Sequence, residues 1–478
     1  MTRTDLPTAT RLRQVIHRPQ HVRSFELTSL RWLRALLRWR PLQFTLIVVT
    51  LAFFVLAILA SLFGTPVGSR NFGIIFVWIV WWALLILVLV PFGGRLWCAM
   101  CPIPAPGEWL QRRALIAPTR WQPFTLGKRW PHRLRSIWVQ NLAFLGMALF
   151  SVIILTRPLV TGLLLLGLVL LALGFSLMYE RRVFCRYLCP VGGFIGLYSM
   201  ASPIELRVRD PEVCQKHRAK ECYLGNERGF GCPWLIFPGS LERNAYCGLC
   251  TECLKTCTMD NVAIRLRQPG LDLFVSKGRG LDEAYKAFIM LTCALLYSVV
   301  LLGPWGALKD AADMRSFGGW ASYALGFVAI NLAVVPGLFW VVTWLGRRWA
   351  GLEVVPMRRL FTDLAYSLVP LGLMAWVAFS LSFVLVNISY ALPVLSDPFG
   401  WGWDLFGTRD WPWTPYAPVL IPYLQVPILL IGLISGVYVA WRIAGEHTAR
   451  PQQALRAALP VSAFLLAATV VLIGLYLG

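Results

Sequence analysis

The feature that most constrains this chain is a series of apolar runs, each long enough as a helix to cross about 30 Å of hydrocarbon. They cover Phe44–Phe63, Gly73–Val90, Ile137–Leu155, Leu159–Tyr179, Tyr285–Leu302, Trp320–Leu345, Leu364–Tyr390, Val419–Trp441 and Ala457–Leu477. Backbone groups in lipid have no water to bond, so such runs are expected as helices that satisfy themselves. Composition agrees: 57% of the residues are hydrophobic and 14% are charged, where soluble domains carry about a quarter charged residues. The expected fold is an all-α polytopic membrane protein of about nine transmembrane helices with an inserted cytoplasmic ferredoxin-like domain. The last run is the least secure, because Pro460 stands in its first turn.

The net charge of +22 belongs to membrane topology and anionic headgroups, and no nucleic-acid partner is expected. Basic residues crowd the N-terminus, the 92–136 segment (Arg95, Arg112, Arg113, Arg120, Lys128, Arg129, Arg133, Arg135) and Arg181-Arg182. Later loops repeat the bias with Arg347, Arg348, Arg358, Arg359, Arg442 and Arg456, while the alternate loops are poor in positive charge. The positive-inside rule then sets the N-terminus in the cytoplasm and the C-terminus outside, in a bacterial-type inner membrane. Residues 1–40 are too basic and too long for a simple signal peptide. From Leu27 to Trp39, Leu30, Leu33 and Leu37 share one helical face and Arg31, Arg34 and Arg38 another. That pattern predicts an amphipathic helix lying on the membrane surface.

Twelve cysteines cluster in one part of the chain, a pattern suited to metal ligation in a reducing compartment. The densest stretch is Y-C-G-L-C-T-E-C-L-K-T-C-T, with Cys247, Cys250 and Cys253 spaced C-x2-C-x2-C and Cys257 following after three intervening residues. Three thiolates so spaced can close on one face of an iron–sulfur cubane, and the fourth is pushed toward a second cluster. Zinc prefers two pairs separated by a longer loop, and disulfides between such close neighbours are strained. The turn-rich segment 203–270 holds the motif together with Cys214, Cys222 and Cys232-Pro233. By the crossing rule of two-cluster ferredoxins, Cys232, Cys247, Cys250 and Cys253 hold one 4Fe-4S cluster. Cys214, Cys222 and Cys257 form a second set one ligand short, suited to a 3Fe-4S cluster, to a ligand borrowed from His217 or the membrane rim, or to thiols that are structural with no second cluster.

The membrane part 41–202 is an internal repeat. Each helical hairpin ends in a cysteine pair followed by proline, W-C-A-M-C-P at Cys98 and Cys101, and F-C-R-Y-L-C-P at Cys185 and Cys189. Duplicated helical units often place a site at their interface. The four thiols are therefore candidate metal ligands at the membrane rim, or a redox-active dithiol. The alternative is that they are buried small residues where a Cys-Pro step ends a helix. Cys293 stands alone in a run and reads as packing.

At these motifs the chain resembles the NapH/NosR/CcoG group of membrane-bound polyferredoxins, over roughly residues 40–270. The resemblance rests on Cys98/Cys101 and Cys185/Cys189, each before proline, followed by the ferredoxin-type cysteines. It implies a cytoplasmic iron–sulfur domain. It also implies electron transfer between the quinol pool, or the cytoplasm, and redox enzymes outside the membrane, or reduction of metals during enzyme assembly. The first rim pair is C-x2-C where the group has C-x3-C. Cys257 is followed by Thr258, and Cys214-x7-Cys222-x9-Cys232 is a stretched triad. The flavin-bearing outer domain of NosR has no counterpart.

Residues 284–478, the five-run remainder, lie outside that resemblance. Five histidines, His17, His21, His132, His217 and His447, all fall outside the runs, so no haem b is expected. The runs carry no Asp, Glu or Lys away from their ends, which argues against a pump. Asn141, Asn331 and Asn387 are expected to bond between helices. The loop at 394–416 interleaves Trp401, Trp403, Trp411, Trp413 and Tyr416 with Asp397, Asp404 and Asp410. It reads either as an aromatic belt or as a docking surface for a periplasmic partner or lid of a quinol pocket. The function these features predict is membrane-bound iron–sulfur electron transfer, with redox proteins as partners. The alternatives are a copper or iron reductase serving assembly, and a structural scaffold subunit of a larger redox complex.

Overall fold

The computed structural model describes residues 24–118 and 123–477. His17, His21 and Arg120 lie outside them. Eight helices among the described residues are long and apolar enough to cross a membrane. After a short helix α1 (Arg31–Arg38) come α2 (Arg40–Phe63) and α3 (Phe72–Gly93). A pair follows in α4 (Trp138–Leu149) and α5 (Pro158–Met178). The C-terminal half is α6 (Leu281–Leu302), α7 (Phe317–Trp349), α8 (Met357–Ser396), α9 (Pro418–His447) and α10 (Pro451–Leu477).

The run at 137–155 departs from expectation. It folds as α4 of 12 residues, breaks at Phe150, and resumes as Ser151–Thr156. Twelve residues rise only about 18 Å, so this run does not count among the eight long helices. Of the nine expected runs, eight are long helices and this one is two shorter helices in succession. Pro460 is accommodated inside α10, which stays one helix over 27 residues.

Between the membrane halves the chain forms a small antiparallel sheet. β2 (Ile204–Val208) and β3 (Val262–Leu266) pair along their length, and β1 (Phe25–Glu26) adds to the other edge of β3. The N-terminal segment is thereby built into the 203–270 unit. In α1, Arg34 and Arg38 turn inward and bond Asp260, and Leu37 packs on the unit's core. Trp32, Leu36 and Trp39 are left exposed. The inward face therefore mixes leucine and arginine, because an acidic partner at Asp260 outweighs the simple apolar-face reading.

Buried ion pairs fasten this unit to the C-terminal half. Arg243 bonds Glu283 of α6 at 2.7 Å, and Tyr366 of α8 joins the same carboxylate. Arg279, in the linker that follows the unit, pairs with Glu446 of α9 at 2.8 Å. Of the three asparagines, Asn141 bonds the Asp282 carbonyl across helices, while Asn387 bonds Phe383 in its own helix. Asn331 does both, bonding the Phe327 carbonyl and accepting from Cys293 at 3.5 Å. The acidic residues of the 394–416 loop are spent inside it: Asp397 accepts from the amides of Trp401 and Gly402, and Asp404 from Ser396. Its tryptophans stay exposed.

Candidate iron–sulfur sites

The C-x2-C-x2-C stretch turns twice through the left-handed region, at Leu249 (φ 50°) and Thr251 (φ 58°). These turns bring successive sulfurs to one side before the helix Glu252–Thr256 begins. Cys232 arrives from a separate loop between Gly231 (φ 73°) and Leu235 (φ 56°). Cys232, Cys247, Cys250 and Cys253 line one cavity of about 20 Å³, walled by Leu206, Trp234, Ile236, Pro238 and Leu241. The four residues taken from the crossing rule are thus brought together. Burial pushes the Cys247 thiol up to about 11 and Cys250 up to about 12. Cys253 goes well above its usual value, through burial and then through Cys247 and Cys250. Thiols this costly to ionise need a cation among them to become ligands.

Cys214, Cys222 and Cys257 form a second group. Burial raises Cys222 to about 12, and Cys257 and Cys214 then add to it. Asn261 serves this group twice: its side-chain amide donates to the Cys214 sulfur at 3.2 Å, and its backbone amide to the Cys257 sulfur at 3.3 Å. Such N–H to sulfur bonds are among the protein's means of setting a cluster's potential. Cys293 is fully buried in α6, where its thiol donates to Asn331.

Cys98, Cys101, Cys185 and Cys189 converge as a third group. Cys98 lies on a short helix Leu96–Met100 and Cys185 on its counterpart Val183–Tyr187. All four line a cavity of about 200 Å³ between α2, α3, α4 and α5. The sulfurs feel one another: Cys185 is raised by burial, then by Cys189, with smaller effects from Cys101 and Cys98. Burial lifts Cys189 to about 11.

The sequence reading missed what stands between these groups. Trp234, 2% exposed, lines both the rim cavity and the first cysteine cavity. It fits because Gly248 carries no side chain there: a Cβ would lie 2.1 Å from its indole nitrogen. Arg95 lies over the Trp234 ring at 4.4 Å, and Arg182 donates to the Cys98 carbonyl at 2.9 Å. Each arginine stands three residues before the first cysteine of its pair, R-L-W-C and R-V-F-C. That repeated spacing is the signal by which the sequence marks them.

Among the described residues, no three cysteine, histidine or carboxylate groups close on one point as a single chelated ion requires. Thiols spread around shared cavities, with apolar walls and flanking cations, instead suit polynuclear clusters ligated at their corners. The donor sets fit iron–sulfur chemistry.

Helices that can cross a membrane, with thiols so arranged, define a polytopic membrane iron–sulfur protein of ferredoxin type, serving electron transport. In agreement, a family model described as a 4Fe-4S binding domain matches residues 74–130 and 161–209. The matched segments cover most of α3 and of α5, each with the cysteine pair that follows it, Cys98/Cys101 and Cys185/Cys189, and they stop short of Cys214. No curated protein and no solved structure matches the chain.

Proposed function

We propose that this protein carries electrons between a lipid-soluble quinol or a cytoplasmic donor and a membrane or periplasmic redox partner, as a NapH/NosR/CcoG-type polyferredoxin. The observation that carries the reading is the contiguity of the three cysteine groups. Trp234 separates the rim group from the first, and Cys222 is close enough to Cys232 to feel its charge. Each group would hold an iron–sulfur cluster: Cys98, Cys101, Cys185 and Cys189 one, Cys232, Cys247, Cys250 and Cys253 a 4Fe-4S cluster, and Cys214, Cys222 and Cys257 a three-cysteine one. Bound clusters supply reversible one-electron chemistry whose potential follows charge, hydrogen bonding and solvent access. The chain's own work is to hold the thiols in series, keep water out with Trp97, Trp234 and Leu206, and offset negative charge with arginine.

The rim cavity supports a lipid-soluble partner. Its walls are Phe53, Phe76, Trp78, Trp81, Trp97 and Phe144, an apolar lining of the kind that holds flat organic ligands. The charge bias supports a cytoplasmic iron–sulfur unit.

Iron and sulfide quantification with EPR spectroscopy tests the proposal. The purified protein is expected to show three spectroscopically separable centres. Single Cys-to-Ser changes at Cys98, Cys101, Cys185 and Cys189 are each expected to remove the same one. Unequal effects within that set would refute a common rim site.

A further inference from the structure

The two repeats cross-pair, and they do so unequally. Counting from the prolines after Cys101 and Cys189, Glu108 and Gly196 hold the same position in their repeats. Arg182 of the second repeat reaches Glu108 of the first, with a 3.0 Å bond from its Nε. Arg95 of the first repeat reaches Gly196 of the second, where a Cβ would stand 2.9 Å from its guanidinium. One guanidinium meets a carboxylate and its equivalent meets none.

Arg95 is 5% exposed. Its side chain bonds the Ala245 carbonyl, and its Nε and second terminal nitrogen have no hydrogen-bond partner. No salt bridge to it exists among the described residues, whereas Arg182 and Arg112 share Glu108. Arginine does not give up its proton in proteins, and an uncompensated buried charge is strongly destabilising. The counter-charge must come from its surroundings, and those are cysteine groups on two sides. Arg95 lies over Trp234, the ring that lines both cysteine cavities, and the Ala245 carbonyl it bonds is two residues before Cys247.

Resting on the iron–sulfur reading above, we propose that Arg95 is a positioning residue that sets the redox poise of two centres at once. Its unmatched charge, admitted by Gly196, stabilises the more negative, reduced state of both the rim centre and the Cys232/Cys247/Cys250/Cys253 centre. Glu108 offsets the equivalent charge of Arg182, so of the two equivalent arginines only Arg95 faces the cysteine groups without a carboxylate.

The test is a redox titration of the EPR signals in the full-length protein, purified with its clusters. Arg95→Gln is expected to lower both potentials by about a tenfold change in the reduction equilibrium, about 59 mV for a one-electron couple. Glu108→Gln, which unmasks Arg182, is expected to move the same two potentials upward. Arg95→Lys should hold both near their original values, and the third centre should move least throughout. If Arg95→Gln does not assemble, the upward shift in Glu108→Gln and its absence in a Lys277→Gln surface control carry the test. Shifts of the same sign in the two variants, or potentials unmoved with clusters intact, would overturn the inference and leave the iron–sulfur reading standing. Absence of a rim signal from the unaltered protein would overturn both.

Discussion

Replacing Asp272 with asparagine isolates what holds the cysteine loop in place. Asp272 is fully buried. It accepts from Arg207 at 3.1 Å, from Arg267 at 2.6 Å, and from the backbone amide of Asn244 at 2.5 Å, three residues before Cys247. Arg207 also bonds the Asn244 side chain at 3.1 Å and the Glu242 carbonyl at 2.8 Å. The carboxylate therefore fixes the entry to the C-x2-C-x2-C turn through both its backbone and its side chains. Removing one partner from a buried ion pair costs about 3–5 kcal/mol. Glu205 remains beside both arginines, 3.4 Å from Arg207 and 2.9 Å from Arg267, so the low end, about 3 kcal/mol, is expected. That is roughly a hundredfold rise in the opening of this segment, at about 1.4 kcal/mol per tenfold. Hydrogen exchange over residues 241–258, read by mass spectrometry in detergent, measures it directly, with iron content measured alongside. The pH dependence supplies a second check. Burial alone would raise the Asp272 carboxyl, but Arg207 and Arg267 outweigh it and hold it below the ordinary range. A lowered folded value means the stabilisation is complete above the unfolded value of about 3.9 and is lost as pH falls below it. Asp272→Asn should therefore flatten the acid limb of stability below about pH 4. Exchange within about fivefold of the unaltered protein, about 1 kcal/mol, would refute the anchoring argument.

Two further outcomes are expected. Gly248→Ala should displace Trp234 and cost about 1–3 kcal/mol through overpacking, seen as reduced iron retention in the first group. Adding Trp234→Leu should restore it, and a Gly248→Ala protein as stable as the original would contradict the packing. In a membrane-topology assay, a reporter active only outside the cytoplasm should be active when fused after Gly407 and silent after Gly270. The reverse pattern would overturn the proposed orientation.

By itself, the sequence determined those features whose physics is local. Apolar length declares a membrane helix because lipid offers the backbone no other partner, and eight such helices are present among the described residues. Dense cysteine spacing points to cluster ligation because short turns can bring only nearby sulfurs to one face, and the four residues grouped by the crossing rule, Cys232, Cys247, Cys250 and Cys253, line one cavity. Phe150 gave no such local signal: no proline or glycine sits at that break, and the run reads as unbroken apolar sequence. Nor was the docking of α1 legible, because Asp260 lies more than two hundred residues from Arg34 and Arg38. Tertiary structure alone decided the relations between groups. Arg95 and Arg182 are both basic residues beside a helix end in the sequence. Only the crossing of the two repeats gives one a carboxylate and the other a glycine. Electrostatic balance in a buried site depends on what arrives from elsewhere in the chain, and spacing along the chain does not encode it.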